Sequence, residues 1–129
     1  PLSRQAVEIL RSLHPITGHG RYVFPSLRTG ERAMSDNTIN AALRRMGFAS
    51  DEMSAHGFRA MARTLMIERI PGISADVIEA QLAHGKSGPL GAAYDRAEFM
   101  EQRRRMMSDW ADYLDKLRMG AEVIQFKKA

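Results

Sequence analysis

Residues 54–69, Ser54-Ala55-His56-Gly57-Phe58-Arg59-Ala60-Met61-Ala62-Arg63-Thr64-Leu65-Met66-Ile67-Glu68-Arg69, read as one helix. It starts near Ser54 or His56 and is stopped by Pro71-Gly72. Proline cannot continue a helix, because it lacks the N–H and its ring crowds the preceding turn. Ala60, Ala62, Leu65 and Met66 make the stretch densely apolar, which predicts a central helix. Its start also carries polar chemistry. His56 and Arg59 are three residues apart, so imidazole and guanidinium share one face. A helix N-terminus favours anions through its free N–H groups and its dipole, and the pair describes an electropositive pocket of phosphate size. The plainer reading is a helix-capping histidine beside a surface arginine.

Outward from this helix the pattern stays helical. Ser3 can cap a helix with apolar positions Ala6, Val7, Leu10 and Leu13, ending at His14-Pro15. A glycine-rich loop, the short extended piece 21–25 and a polar loop from Ser26 to Met34 follow. Ser35 is a predicted N-cap for a helix striped by Ile39, Ala42, Leu43 and Met46, with Gly47 as its stop. Ser74 is a cap for a helix bearing Val77, Ile78 and Leu82. The tether 85–91, with three glycines and a proline, separates that helix from a short turn around Tyr94. A long final helix carries Phe99, Met106, Trp110, Tyr113, Leu114 and Leu117 on one face up to Gly120. The expected fold is mainly α, a compact helical bundle-like domain with little or no sheet.

The 129 residues suffice for one domain with one core. No apolar run approaches the ~20 residues of a membrane span, and no membrane partner is expected. Cysteine is absent, which excludes disulfides and thiolate catalysis and fits a cytosolic setting. Residues 1–50 hold seven basic against three acidic side chains, while the rest of the chain is balanced at twelve against twelve. Most of the basic residues are arginine, whose planar fork suits phosphate. Nucleic acid or an ordinary basic surface both accommodate that surplus.

His14 and His19 read as exposed loop residues. His84 ends the fourth helix in Gln81-Leu82-Ala83-His84-Gly85, where it can pair with the helix dipole or serve a site. Tyr22 and Tyr113 read as packing residues, whereas Tyr94 follows the glycine-rich tether and Ala92-Ala93. A phenol has pKa ≈ 10 and is a weak nucleophile until a cationic setting activates it.

Taken together, Tyr22-Val23-Phe24-Pro25-Ser26, the segment from Ser35 to Arg45, His56-Gly57-Phe58-Arg59, Gln81-Leu82-Ala83-His84-Gly85 and Ala93-Tyr94 resemble the tyrosine recombinase (phage integrase) family. The stretch from Arg103-Arg104-Arg105 through Trp110-Ala111-Asp112-Tyr113-Leu114 is similar to integrases of prophages and genomic islands. The resemblance spans about residues 21–117 and implies the C-terminal part of that family's catalytic fold.

It also implies roles. Tyr94 would attack the scissile DNA phosphate and form a 3′-phosphotyrosyl link. Arg59 would clamp the phosphate, His56 would assist proton transfer, and His84 would hold a non-bridging oxygen. The implied activity is site-specific recombination without ATP, metal or other cofactor. Implied partners are double-stranded DNA, other protomers of the same recombinase on that DNA, and accessory DNA-bending proteins, in a prokaryotic cytoplasm at the nucleoid.

Arg28, Arg32, Arg44, Arg45 and Lys86 are candidate backbone contacts on DNA, or else solvated surface charges. Arg103–Arg105, interleaved with Glu98 and Glu101, read as intrahelical pairs. The tail 120–129, with Val123, Ile124 and Phe126, suits docking on a neighbouring protomer or packing at home. The family's first catalytic arginine and its hairpin lysine lie upstream of the matched region and have no equivalent in this chain. With its abrupt start at Pro1, the chain is therefore expected to be the C-terminal portion of a catalytic domain, feeble or inactive alone. The competing readings are a non-enzymatic helical DNA-binding module and a protein-interaction domain.

Overall fold

The computed structural model describes residues 1–83 and 99–120. These form five helices: α1 (Arg4–Thr17), α2 (Thr38–Arg45), α3 (Ala55–Arg69), α4 (Ala75–Gln81) and α5 (Met100–Met119). Among the described residues there is no strand, only an isolated bridge between Pro25 and Ala33. The mainly helical expectation holds. His84, Lys86, Tyr94 and the tail 121–129 lie outside the described residues.

The core is built by the second half of α3, by α4 and by the middle of α5. Met66, Ile70, Val77, Ile78, Met106 and Trp110 form one buried cluster. Ala62, Leu65, Leu82, Phe99, Met107 and Tyr113 pack around it. Trp110 and Tyr113 stack with ring centroids 5.6 Å apart, within the range aromatic pairs favour. Polar ties lock the same three helices. Arg63 on α3 pairs with Glu79 on α4 at 2.6 Å, and Arg103 on α5 donates to Gln81 Oε1 at 2.9 Å.

Two expectations about burial change. Only the C-terminal half of α3 is central; Ala60 and Phe58 in its first half are exposed. Likewise the apolar stripe of α5 outruns the core, leaving Leu114 and Leu117 exposed. In both cases the helix is longer than the surface it packs on, so periodicity marks a face without fixing how much of it is covered. The arginine run of α5 divides. Arg104 pairs with Glu101 (3.5 Å) and Arg105 with Asp109 (3.8 Å), whereas Arg103 reaches across to α4.

Helix ends follow local chemistry, with three departures. Ser3 caps α1 by accepting from Ala6 N–H at 3.2 Å, yet α1 runs through Pro15 to Thr17. Proline there deletes one hydrogen bond near the helix end, and Gly18 closes the turn by donating to His14 O at 2.7 Å. A Cβ on Gly18 would lie 2.5 Å from that carbonyl oxygen, so only glycine fits. Helix α2 starts at Thr38 rather than at Ser35. Ser35 instead forms a preceding turn, with its hydroxyl 2.8 Å from that of Thr38. Ser74 occupies the N-cap position of α4, but its side chain makes no capping bond. Gly47 ends α2 as expected, with φ +97°. Gly47 N–H donates to Arg44 O and Phe48 N–H to Leu43 O, the paired bonds of a Schellman motif.

Ala83, just past α4, has φ +52°. Left-handed backbone costs a residue with a Cβ ~1–2 kcal/mol, whereas glycine adopts it freely. Ala83→Gly is therefore expected to raise the unfolding free energy by about 0.5–1 kcal/mol after glycine's larger unfolded-state entropy is subtracted. Urea denaturation measures this, and a lower midpoint would contradict it.

Candidate phosphate-binding site at the start of helix α3

The sequence places His56 and Arg59 on the first turns of a helix, and the structure agrees. Ser54 is the N-cap: its backbone is extended, and its hydroxyl accepts from Gly57 N–H at 3.0 Å. Asn40, on α2, accepts from Ala55 N–H at 2.8 Å. His56 is exposed and Arg59 half-buried, one helical turn apart on the same side. Gly57, between them, leaves room for Met53: a Cβ there would come 3.1 Å from the Met53 sulfur.

This geometry revises the anion argument drawn from the sequence. Two of the amides expected to face an anion are already taken, Ala55 by Asn40 and Gly57 by Ser54. The dipole still favours negative charge at this end, and the side chains that could meet an anion there are those of His56 and Arg59. Two donors on one turn can hold two oxygens of a tetrahedral anion. They supply no nucleophile.

The other sequence-predicted residues are scattered. Arg28 lies exposed on the loop closed by Ser26 N–H to Arg32 O (2.7 Å) and Met34 N–H to Phe24 O (2.8 Å). Arg45 is exposed at the end of α2. Arg44, a candidate backbone contact or else a solvated charge, is half-buried: its Nη2 donates to the Met53 carbonyl oxygen, and its Nε is enclosed with no partner among the described residues. His84 and Tyr94, the other two members of the expected constellation, and the candidate contact Lys86 lie outside the described residues. Among the described residues no group of three or more His, Asp or Glu is placed to hold a metal ion, and no helix is long and apolar enough to cross a membrane.

Sequence reasoning missed Asn40. A groove of about 510 Å³ between α2 and the loop leading into α3 is lined by Asn37, Asn40, Ala41, Arg44, Ser50 and Ser54. Asn40 contacts a backbone amide fifteen residues away, a pairing with no local sequence signal. The one available hint is a polar residue on the otherwise apolar side of α2, next to Leu43.

The helical domain thus carries an imidazole and a guanidinium on one side of a helix start. Comparison with known proteins goes further. Over 118 residues, 89% of the chain, the sequence is 45% identical to the integrase of enterobacteria phage P4. Over 124 residues, 96% of the chain, it is 40% identical to the prophage integrase IntA of Escherichia coli K12. Over 116 residues it is 35% identical to the integrase of Shigella phage Sf6. The chain spans 26–29% of the length of these relatives. No protein-family profile and no solved structure matches it. Over most of its length, then, the chain is similar to phage and prophage integrases.

Proposed function

We propose that this chain is the C-terminal part of the catalytic domain of a tyrosine-type site-specific recombinase, which cuts and rejoins double-stranded DNA. The observation that carries the reading is the His56–Arg59 pair on one turn of α3, in a chain 35–45% identical to integrases. Tyr94 is the nucleophile: its phenolic oxygen bonds to the scissile phosphorus and the bond to the 5′-oxygen breaks. The products are a 3′-phosphotyrosyl link and a free 5′-hydroxyl. His56 takes the phenol's proton, the leaving 5′-oxygen takes a proton from the hairpin lysine that the resemblance places upstream of this chain, and Arg59 and His84 hold the non-bridging oxygens. Such donors, set before the reaction starts, stabilise the charge gathering on those oxygens more in the transition state than in the ground state. The phosphotyrosyl bond conserves the phosphodiester's energy, so rejoining needs no nucleotide.

The activity belongs to a protein of the relatives' length. Its partners are double-stranded DNA, further protomers bound to that DNA and accessory DNA-bending proteins, and it works in a prokaryotic cytoplasm at the nucleoid. This chain alone cleaves weakly or not at all.

A nicked suicide duplex tests the reading. The intact recombinase is expected to retain the cut strand covalently through its 3′ end. Salt-sensitive retention of DNA with no adduct from any length of protein would sink the enzymatic reading and leave a binding module.

Arg28 and Arg45, both exposed, are proposed contacts to the DNA backbone. Replacing both with alanine is expected to weaken binding about equally for all sequences. It should also reduce the slope of log affinity against log salt by roughly two. Fluorescence anisotropy over a salt series measures that slope, and an unchanged slope removes both residues from the interface.

A further inference from the structure

We propose that Asn40 and Arg44 are positioning residues, which set the place of His56 and Arg59 by fixing the chain just before α3. The inference rests on the phosphate-binding reading of that pair. The two side chains are one turn apart on α2 and reach the same short segment. Asn40 accepts from Ala55 N–H at 2.8 Å, and Arg44 donates to the carbonyl oxygen of Met53. Between these two residues lies Ser54, whose hydroxyl caps Gly57, and the next residue after Ala55 is His56. The start of α3 is thus held from outside the helix on both sides of its cap.

Arg44 is itself fixed at its backbone, because its carbonyl accepts from Gly47 N–H at 3.0 Å in the Schellman turn. The cluster formed by α3, α4 and α5 contains no residue of α2, and Leu43, the buried side chain of α2, lies outside it. Polar ties to residues 53–55 therefore link α2 to the start of α3. Among the described residues Arg44 Nε has no hydrogen-bond partner. What the two ties supply is alignment: a displacement of ~1 Å in a group that must meet a reacting phosphate can cost ~100-fold in rate.

The test uses the 129-residue chain with inorganic phosphate as the probe, following the His56 ring and Arg59 guanidinium signals by NMR. Far-UV circular dichroism first establishes, for each protein, a temperature at which it is fully helical. The wild-type signals are expected to shift saturably with phosphate. In folded Asn40→Ala the affinity read from them should fall about tenfold. A role confined to stability would lower the unfolding midpoint while leaving the response of folded molecules unchanged. Should Asn40→Ala fail to fold, Arg44→Met decides instead, since it keeps an unbranched apolar stem and removes the donor to Met53.

Wild-type affinity in the deciding variant would overturn the positioning role and leave the phosphate reading standing. No wild-type response to phosphate would overturn both.

Discussion

Replacing Tyr94 with phenylalanine is expected to abolish the covalent protein–DNA adduct while leaving duplex affinity within about twofold. The substitution deletes one oxygen and keeps the ring. It removes the oxygen proposed to attack phosphorus and leaves the charged contacts that dominate DNA affinity. Arg59→Ala should behave differently. On the proposed reading the nucleophile stays, and the rate of adduct formation is expected to fall by ~10²–10³, the usual consequence of deleting one preorganised donor to a developing oxyanion. Measured side by side on the suicide duplex in the full-length protein, the two variants separate chemistry from stabilisation. An adduct formed by Tyr94→Phe would show that another residue attacks.

The second large effect falls on the core. Ile78→Ala is expected to cost 2–5 kcal/mol, and Ile78→Val ~0.5–1.5 kcal/mol. Ile78 is fully enclosed in the α3–α4–α5 cluster, so truncation leaves a cavity that the neighbouring helices can only partly close. Set against the ~5–15 kcal/mol total stability of a domain, the alanine variant consumes a large share. Urea unfolding followed by Trp110 fluorescence reads the loss where it occurs, since Trp110 belongs to the same cluster. A loss under ~1 kcal/mol would show that α4 is not where these helices join.

These two predictions draw on parts of the molecule that differ in legibility. The cap at Ser54, the cap at Ser3 and the stop at Gly47 could be read locally, because each is decided by a few neighbouring residues. The shared face of His56 and Arg59 followed from spacing alone. The late start of α2 could not be read, since Ser35 and Asn37 are both good caps by residue type and the turn formed by Ser35 and Thr38 decided between them. Nor could the exposure of Leu114 and Leu117, which depends on how far the neighbouring helices extend. Asn40 and Arg44 were hidden for a related reason. Their partners, Ala55 and Met53, become neighbours only once α2 folds back beside α3.

The bond from Arg103 to Gln81 and the packing of Leu82 and Phe99 on one cluster have a geometric corollary. Residues 84–98 join these two anchored ends in sequence. Five peptide links separate Tyr94 from Phe99, and five residues span at most ~18 Å even when drawn taut. On the proposed reading, the phosphate that Tyr94 attacks lies within that length plus the reach of one tyrosine side chain from the foot of α5, and lengthening or shortening the stretch by a residue or two would redraw the limit.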